Sequence, residues 1–160
     1  MKTYILGCND RAALTVSREL AKNGVHIEII AFNENCITLN SKHVKRFHIL
    51  NNKENINEIY NELITIIESG SFVIPINDYF LTLVLAFFKK FKDKFIIPYE
   101  SKESILKVID KYELLTEARK IGIDTPDSLL INNLDSFYKI NKNSFKYPLI
   151  LKPRISCLEQ

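Results

Sequence analysis

From Thr3 to Pro98 the sequence alternates short, β-prone apolar runs with longer segments of helical period. Glycine, proline, asparagine or aspartate marks most changes of period. That alternation constrains the fold more than any other feature. A strand that reaches its neighbour through a helix must run parallel to it, and a chain that repeats the unit builds a parallel sheet with helices on its faces.

Thr3-Tyr4-Ile5-Leu6 suits a buried strand, Gly7-Cys8-Asn9-Asp10 breaks it, and Asp10 is placed to cap the first helix. That helix, from Arg11 to Asn23, sets Ala13, Val16, Ser17 and Leu20 on one side and stops at Gly24. Val25 to Phe32 is the second strand, and Lys45 to Leu50 the third, with a polar loop or single helical turn between them. Asn52 to Ser69 carries Ile56, Ile59, Tyr60, Leu63, Ile66 and Ile67 at spacings of three and four, which predicts an amphipathic helix. Phe72 to Ile76 is the fourth strand. Asp78 is available to cap a helix that runs to Lys90 and is apolar nearly all round, hence buried, and Phe95 to Pro98 is the fifth strand. Five strands alternating with three helices make a Rossmann-like, doubly wound parallel α/β sheet over residues 1–98.

After Pro98 the rhythm changes. Ser101 to Ile109 reads as a short helix, and Asp110 and Glu113 have the spacing of a capping box for the next. That next helix carries Leu114, Leu115, Ala118 and Ile121 and ends at Gly122. Residues 128–131, 134–142 and 149–151 then read as strand, helix and buried strand, so residues 99–160 form the start of a second, α+β unit.

Composition bounds the function. Apolar residues make up 46% of the chain and charged residues 26%, as in an ordinary folded domain, and the net charge of +3 is too small for a nucleic-acid footprint. Cys8, Cys36 and Cys157 are widely spaced with no C-x-x-C pair, which fits reduced thiols in a cytoplasmic protein better than a disulfide framework or a metal site. The N-terminus reaches Asp10 and Arg11 before a signal-peptide core can form. The longest apolar stretch, Tyr79 to Phe88, is far short of the roughly 20 residues a membrane-spanning helix needs.

Open α/β sheets take ligands at the carboxyl ends of their strands. Asn9, Asp10, Asn77 and Asp78 follow two such ends and are candidates to hold a small polar molecule, although helix capping alone accounts for both aspartates. Gly7, Asn9 and Ala12 stand where a dinucleotide fingerprint requires three glycines, so close approach to a pyrophosphate is not supported. Cys8 reads as a buried structural thiol, and His26, His43 and His48 have no metal-like spacing. Lys89, Lys90, Lys92 and Lys94 near a helix C-terminus offset its macrodipole.

Lys111 and Lys152 differ from these. Lys111 stands in the first turn of a helix, where a cation opposes the macrodipole unless an anion is bound beside it. Lys152 follows the apolar run Leu149-Ile150-Leu151 and precedes Pro153, which has no amide to continue a ladder. Two lysines on different elements can grip one polyanion.

Asp110-Lys111, Ala118-Arg119-Lys120-Ile121-Gly122-Ile123-Asp124-Thr125-Pro126 and Tyr147-Pro148-Leu149-Ile150-Leu151-Lys152-Pro153, in this order, resemble the opening of an ATP-grasp domain of the carbamoyl-phosphate-synthase-like branch. The preceding part resembles the preATP-grasp domain, with Ser41-Lys42-His43-Val44 and Ile74-Pro75-Ile76-Asn77-Asp78 matching its motifs. The resemblance implies an ATP-dependent ligase that joins a carboxylate to an amine or thiol through an acyl phosphate, with Mg²⁺ bridging the phosphates. By match, Lys111 and Lys152 contact ATP phosphates and Arg154 assists them. The family's glycine-rich loop and magnesium-binding acids have no counterpart in Ile155 to Gln160, so these residues alone do not complete an ATP site, and the chain by itself is expected to be inactive. The alternative the sequence leaves open is a stand-alone, non-catalytic ligand-binding or interaction module derived from such a protein, its exposed final strand pairing with another chain. Separately, core surface left exposed would favour a homo-oligomer.

Overall fold

The computed structural model describes residues 1–8, 11–51, 54–141 and 146–155, and the chain divides into two units, Met1–Lys102 and Glu103–Gln160. The first unit is built on four parallel strands, β1 (Lys2–Leu6), β2 (His26–Ala31), β3 (Arg46–Ile49) and β4 (Phe72–Pro75), in the order β3-β2-β1-β4. Ile5 pairs with Ile29 on one side and Ile74 on the other, so the most apolar run of the chain occupies the centre of the sheet. Strands buried on both faces have no polar alternation to show, which is why they read as continuous apolar runs.

One face is covered by α1 (Arg11–Lys22), through Val16 and Leu20 packed against Ile5, Ile27 and Ile29. The other carries Tyr4, Leu6, Ile30 and Val73 under α2 (Ile56–Ile66), α3 (Asp78–Ala86) and α4 (Phe88–Lys94). The alternation read from the sequence is thus an α/β sheet with helices on both faces.

Three local expectations change. The run Phe95 to Pro98 forms no full strand: it adds one parallel bridge, Phe72 to Ile96, beside β4. Phe95 is still closing α4 with a bond from its amide to the Phe91 carbonyl, and Pro98 offers no donor, so too few residues remain for a ladder. The helix expected to run unbroken to Lys90 divides at Phe87, whose ring stacks on Tyr60 at 4.4 Å. Its cap is not Asp78, which is the first helical residue and exposed: the Asn77 side chain accepts the Phe80 amide at 3.0 Å. The start of the helix predicted from Asn52 lies outside the described residues, as does Asp10, and α2 is capped by Asn55.

The regular elements described in the second unit are helices, α5 (Lys102–Ile109), which begins at the last residue of the first unit, α6 (Lys111–Lys120) and α7 (Leu134–Tyr138). Asp110 caps α6 as expected, accepting the Tyr112 and Glu113 amides at 3.1 Å each. A reciprocal capping box forms instead at α7, between Asn133 and Ser136. The strands predicted at 128–131 and 149–151 do not form. Leu149, Ile150 and Leu151 are 51%, 80% and 87% exposed, so the strand expected there is neither buried nor paired among the described residues.

Candidate functional site

The strand order places a switch point at the carboxyl ends of β1 and β4, because the chain winds outward from β1 to β3 and then returns to the opposite side of β1. Gly7, just past β1, adopts φ +103°, and a Cβ there would meet the Asn77 amide nitrogen at 2.9 Å. Glycine is therefore required both by its backbone conformation and by the approach of the β4 turn. The structure brings Asn77 to the β1 turn, with its side-chain oxygen committed to the α3 cap. Asn9 and Asp10, the other half of that candidate group, lie outside the described residues.

The loop after β2 is tied to the same turn. The Cys8 carbonyl accepts from the Cys36 thiol at 2.9 Å and from the Thr38 hydroxyl at 2.8 Å. Burial, then the neighbouring Cys36 thiol, pushes the Cys8 thiol up to about 12. A thiol so disposed is not a nucleophile at neutral pH, in keeping with its structural reading.

Two of the histidines that look scattered in sequence meet on one carboxylate. Glu28 is 3% exposed within β2 and lies 3.1 Å from His26 Nε2, 2.7 Å from His48 Nε2 and 3.5 Å from Lys2 Nζ. Burial raises its pKa, but the hydrogen bonds from His48 and His26 and the charge of Lys2 outweigh burial and hold it below the ordinary carboxylate range. Lys2 also pairs with Glu68. A charged residue inside an otherwise apolar strand was the one sequence signal of this cluster.

In the second unit, Lys111 opens α6 and its amide donates to the Arg154 carbonyl at 3.0 Å. Lys152 is two residues before Arg154, so its Cα is at most about 7.6 Å from that of Arg154. The two lysines are thereby brought to neighbouring backbone, one on a helix tip and one on an exposed run of chain. Arg154 does not extend freely. Its Nε donates to Asp110 Oδ2 at 2.5 Å and its Nη2 to Glu113 Oε1 at 3.2 Å. Burial raises the Asp110 carboxyl, while the Glu113 amide, Arg154 and the Tyr112 amide together hold it below its usual range.

With this geometry established, the fold can be set beside known structures. No family model and no curated protein matches the sequence. Among solved structures, an L-amino acid ligase from Bacillus licheniformis superposes with TM-score 0.65 and 14% identity over 98% of this chain and 37% of its own. An N5-carboxyaminoimidazole ribonucleotide synthetase from Thermotoga maritima gives TM-score 0.52 and 15% identity over 86% of this chain and 35% of its own. The four-stranded parallel sheet with its helices matches their N-terminal region. The likeness is one of fold, and the chain spans little more than a third of the length of either. No helix among the described residues is long and apolar enough to cross a membrane.

Proposed function

We propose that this chain is the N-terminal part of an ATP-dependent carboxylate–amine or carboxylate–thiol ligase of the ATP-grasp type, acting in the cytoplasm on small molecules through an acyl phosphate. The observation that supports the reading most is the bond from the Lys111 amide to the carbonyl of Arg154, two residues after Lys152. The likeness of fold to two such ligases and the order of the sequence motifs support it.

In this reading the two ammonium groups act as positioned point charges on the triphosphate and offset charge that develops as the terminal phosphoryl group is transferred. When bound, Mg²⁺ would supply further positive charge to offset that of the phosphates. The carboxylates beside the lysines, Asp110 and Glu113, are bonded to Arg154 and, for Asp110, to helix amides, and so do not fit as its ligands. Asn77 and Asp78 follow β4 at the switch point of the first unit, where a small polar substrate would bind, and Asn9 and Asp10, the other residues of that expectation, lie outside the described residues.

The test is calorimetric. Tripolyphosphate titrated at low ionic strength gives saturable heat with the wild type and none with the Lys111→Ala, Lys152→Ala double variant. Equal heats from the two proteins overturn the assignment. One observation favours a second reading as an interaction module: among the described residues, thirteen of the nineteen exposed large apolar side chains lie beyond residue 102.

A further inference from the structure

Arg154 matches a residue expected to touch phosphate, yet its hydrogen bonds point elsewhere. The first amides of a helix have no intrahelical acceptor. At the start of α6, Asp110 Oδ1 accepts two of them, from Tyr112 and Glu113. The third, that of Lys111, is accepted by the carbonyl of Arg154, 43 residues later. The Arg154 side chain returns to the same helix turn, bonding to Asp110 Oδ2 with Nε and to Glu113 Oε1 with Nη2. Asp110, only 7% exposed, is thus bonded on one oxygen to the helix and on the other to the run that carries Lys152. Among the described residues, the amides of Leu149, Ile150 and Leu151 have no hydrogen-bond partner, so no ladder holds that run in place.

We propose that Asp110, Arg154 and Glu113 form a clasp that sets the spacing between Lys111 and Lys152, and that Arg154 is a positioning residue rather than a phosphate ligand. The inference rests on the reading that the two lysines share a polyphosphate. A guanidinium fork is suited to bridging two carboxylates in fixed geometry, whereas an ammonium group would hold either one without fixing both. Arg154 closes the run onto the helix through its backbone carbonyl and its side chain together.

Asp110→Asn separates the two roles. It keeps the oxygen that caps α6 and replaces the oxygen that accepts Arg154 with an amide donor. With a clasp, tripolyphosphate binding weakens roughly threefold to tenfold in Asp110→Asn and to a similar extent in Arg154→Gln, and the double variant is no worse than either. Arg154→Lys, which keeps the charge but not the fork, behaves like Arg154→Gln. If Arg154 instead contacts phosphate, Asp110→Asn releases it and tightens binding, and that result overturns the proposal. Hydrogen exchange gives a readout that needs no ligand. The Lys111 amide is protected in the wild type and exchanges at least about tenfold faster in Asp110→Asn, while the Ile121 amide, bonded to the Glu117 carbonyl, is unchanged. An unprotected Lys111 amide in the wild type overturns the clasp whether or not the chain binds phosphate. Loss of tripolyphosphate heat with Lys111 still protected would sink only the lysine assignment.

Discussion

The two units of this chain use apolar residues in opposite ways. In residues 1–102, the large apolar side chains of the two central strands are buried, those of the flanking strands are buried or partly buried, and Ile5, Leu6, Ile27, Ile29, Ile30 and Val73 are fully buried. In residues 103–155, Ile105 is the one buried apolar residue among those described, and Ile150 and Leu151 are among the most exposed apolar residues of the chain. The first unit is held by packing, and the second by caps and ion pairs at helix ends. A helix of ten residues such as α6 has little stability of its own in water, so its capping by Asp110 and the bonds of Arg154 matter more than they would beneath a core.

The contrast can be broken most forcefully by truncating side chains. Leu63, fully buried between α2 and the sheet, should cost about 2–5 kcal/mol when changed to alanine, measured by urea denaturation. Ile150→Ser in the second unit should change the same midpoint by no more than about 0.5 kcal/mol. A cost from Ile150→Ser comparable to that from Leu63→Ala would show that the run is packed in solution.

A smaller effect sharpens the electrostatic side of the comparison. Glu28→Gln should destabilise the first unit by about 1–3 kcal/mol, since His26, His48 and Lys2 would face a neutral amide. The folded carboxyl is held below its ordinary pKa, so its contribution is fully present above the unfolded value near 4.3 and is lost as pH falls through the folded value. As pH falls through the folded value, the wild type and Glu28→Gln should therefore converge in stability. Parallel curves down to acid would show that the glutamate is held by packing alone.

These contrasts also explain what the sequence could and could not reveal. The first unit was legible because a strand buried on both faces has to be apolar along its whole length, and because Gly7, Gly24 and Asn77 mark turns by local chemistry. Its fifth strand was overread, since Phe95 belongs to the end of α4 as much as to the run before Pro98. In the second unit the start of α6 was legible from Asp110, whose side chain acts on neighbouring amides, whereas the Asn133 cap of α7 was not read from the sequence. The strands at 128–131 and 149–151 were not, because a strand needs partners far away in sequence, and apolar composition states only that a residue would gain from burial. The meeting of His26 and His48 on Glu28 was hidden for the same reason, as was the clasp, whose two halves are 44 residues apart.

The central claim is that one polyphosphate is held from two elements at once. Hydrogen exchange of the wild-type chain with and without tripolyphosphate tests that directly. Protection should rise together in the first turn of α6, around Lys111 to Leu115, and in Leu151 to Ile155, and should rise in neither when Lys111 and Lys152 are both alanine. Protection confined to one of those segments, or found only in the turns after β1 and β4, would contradict it.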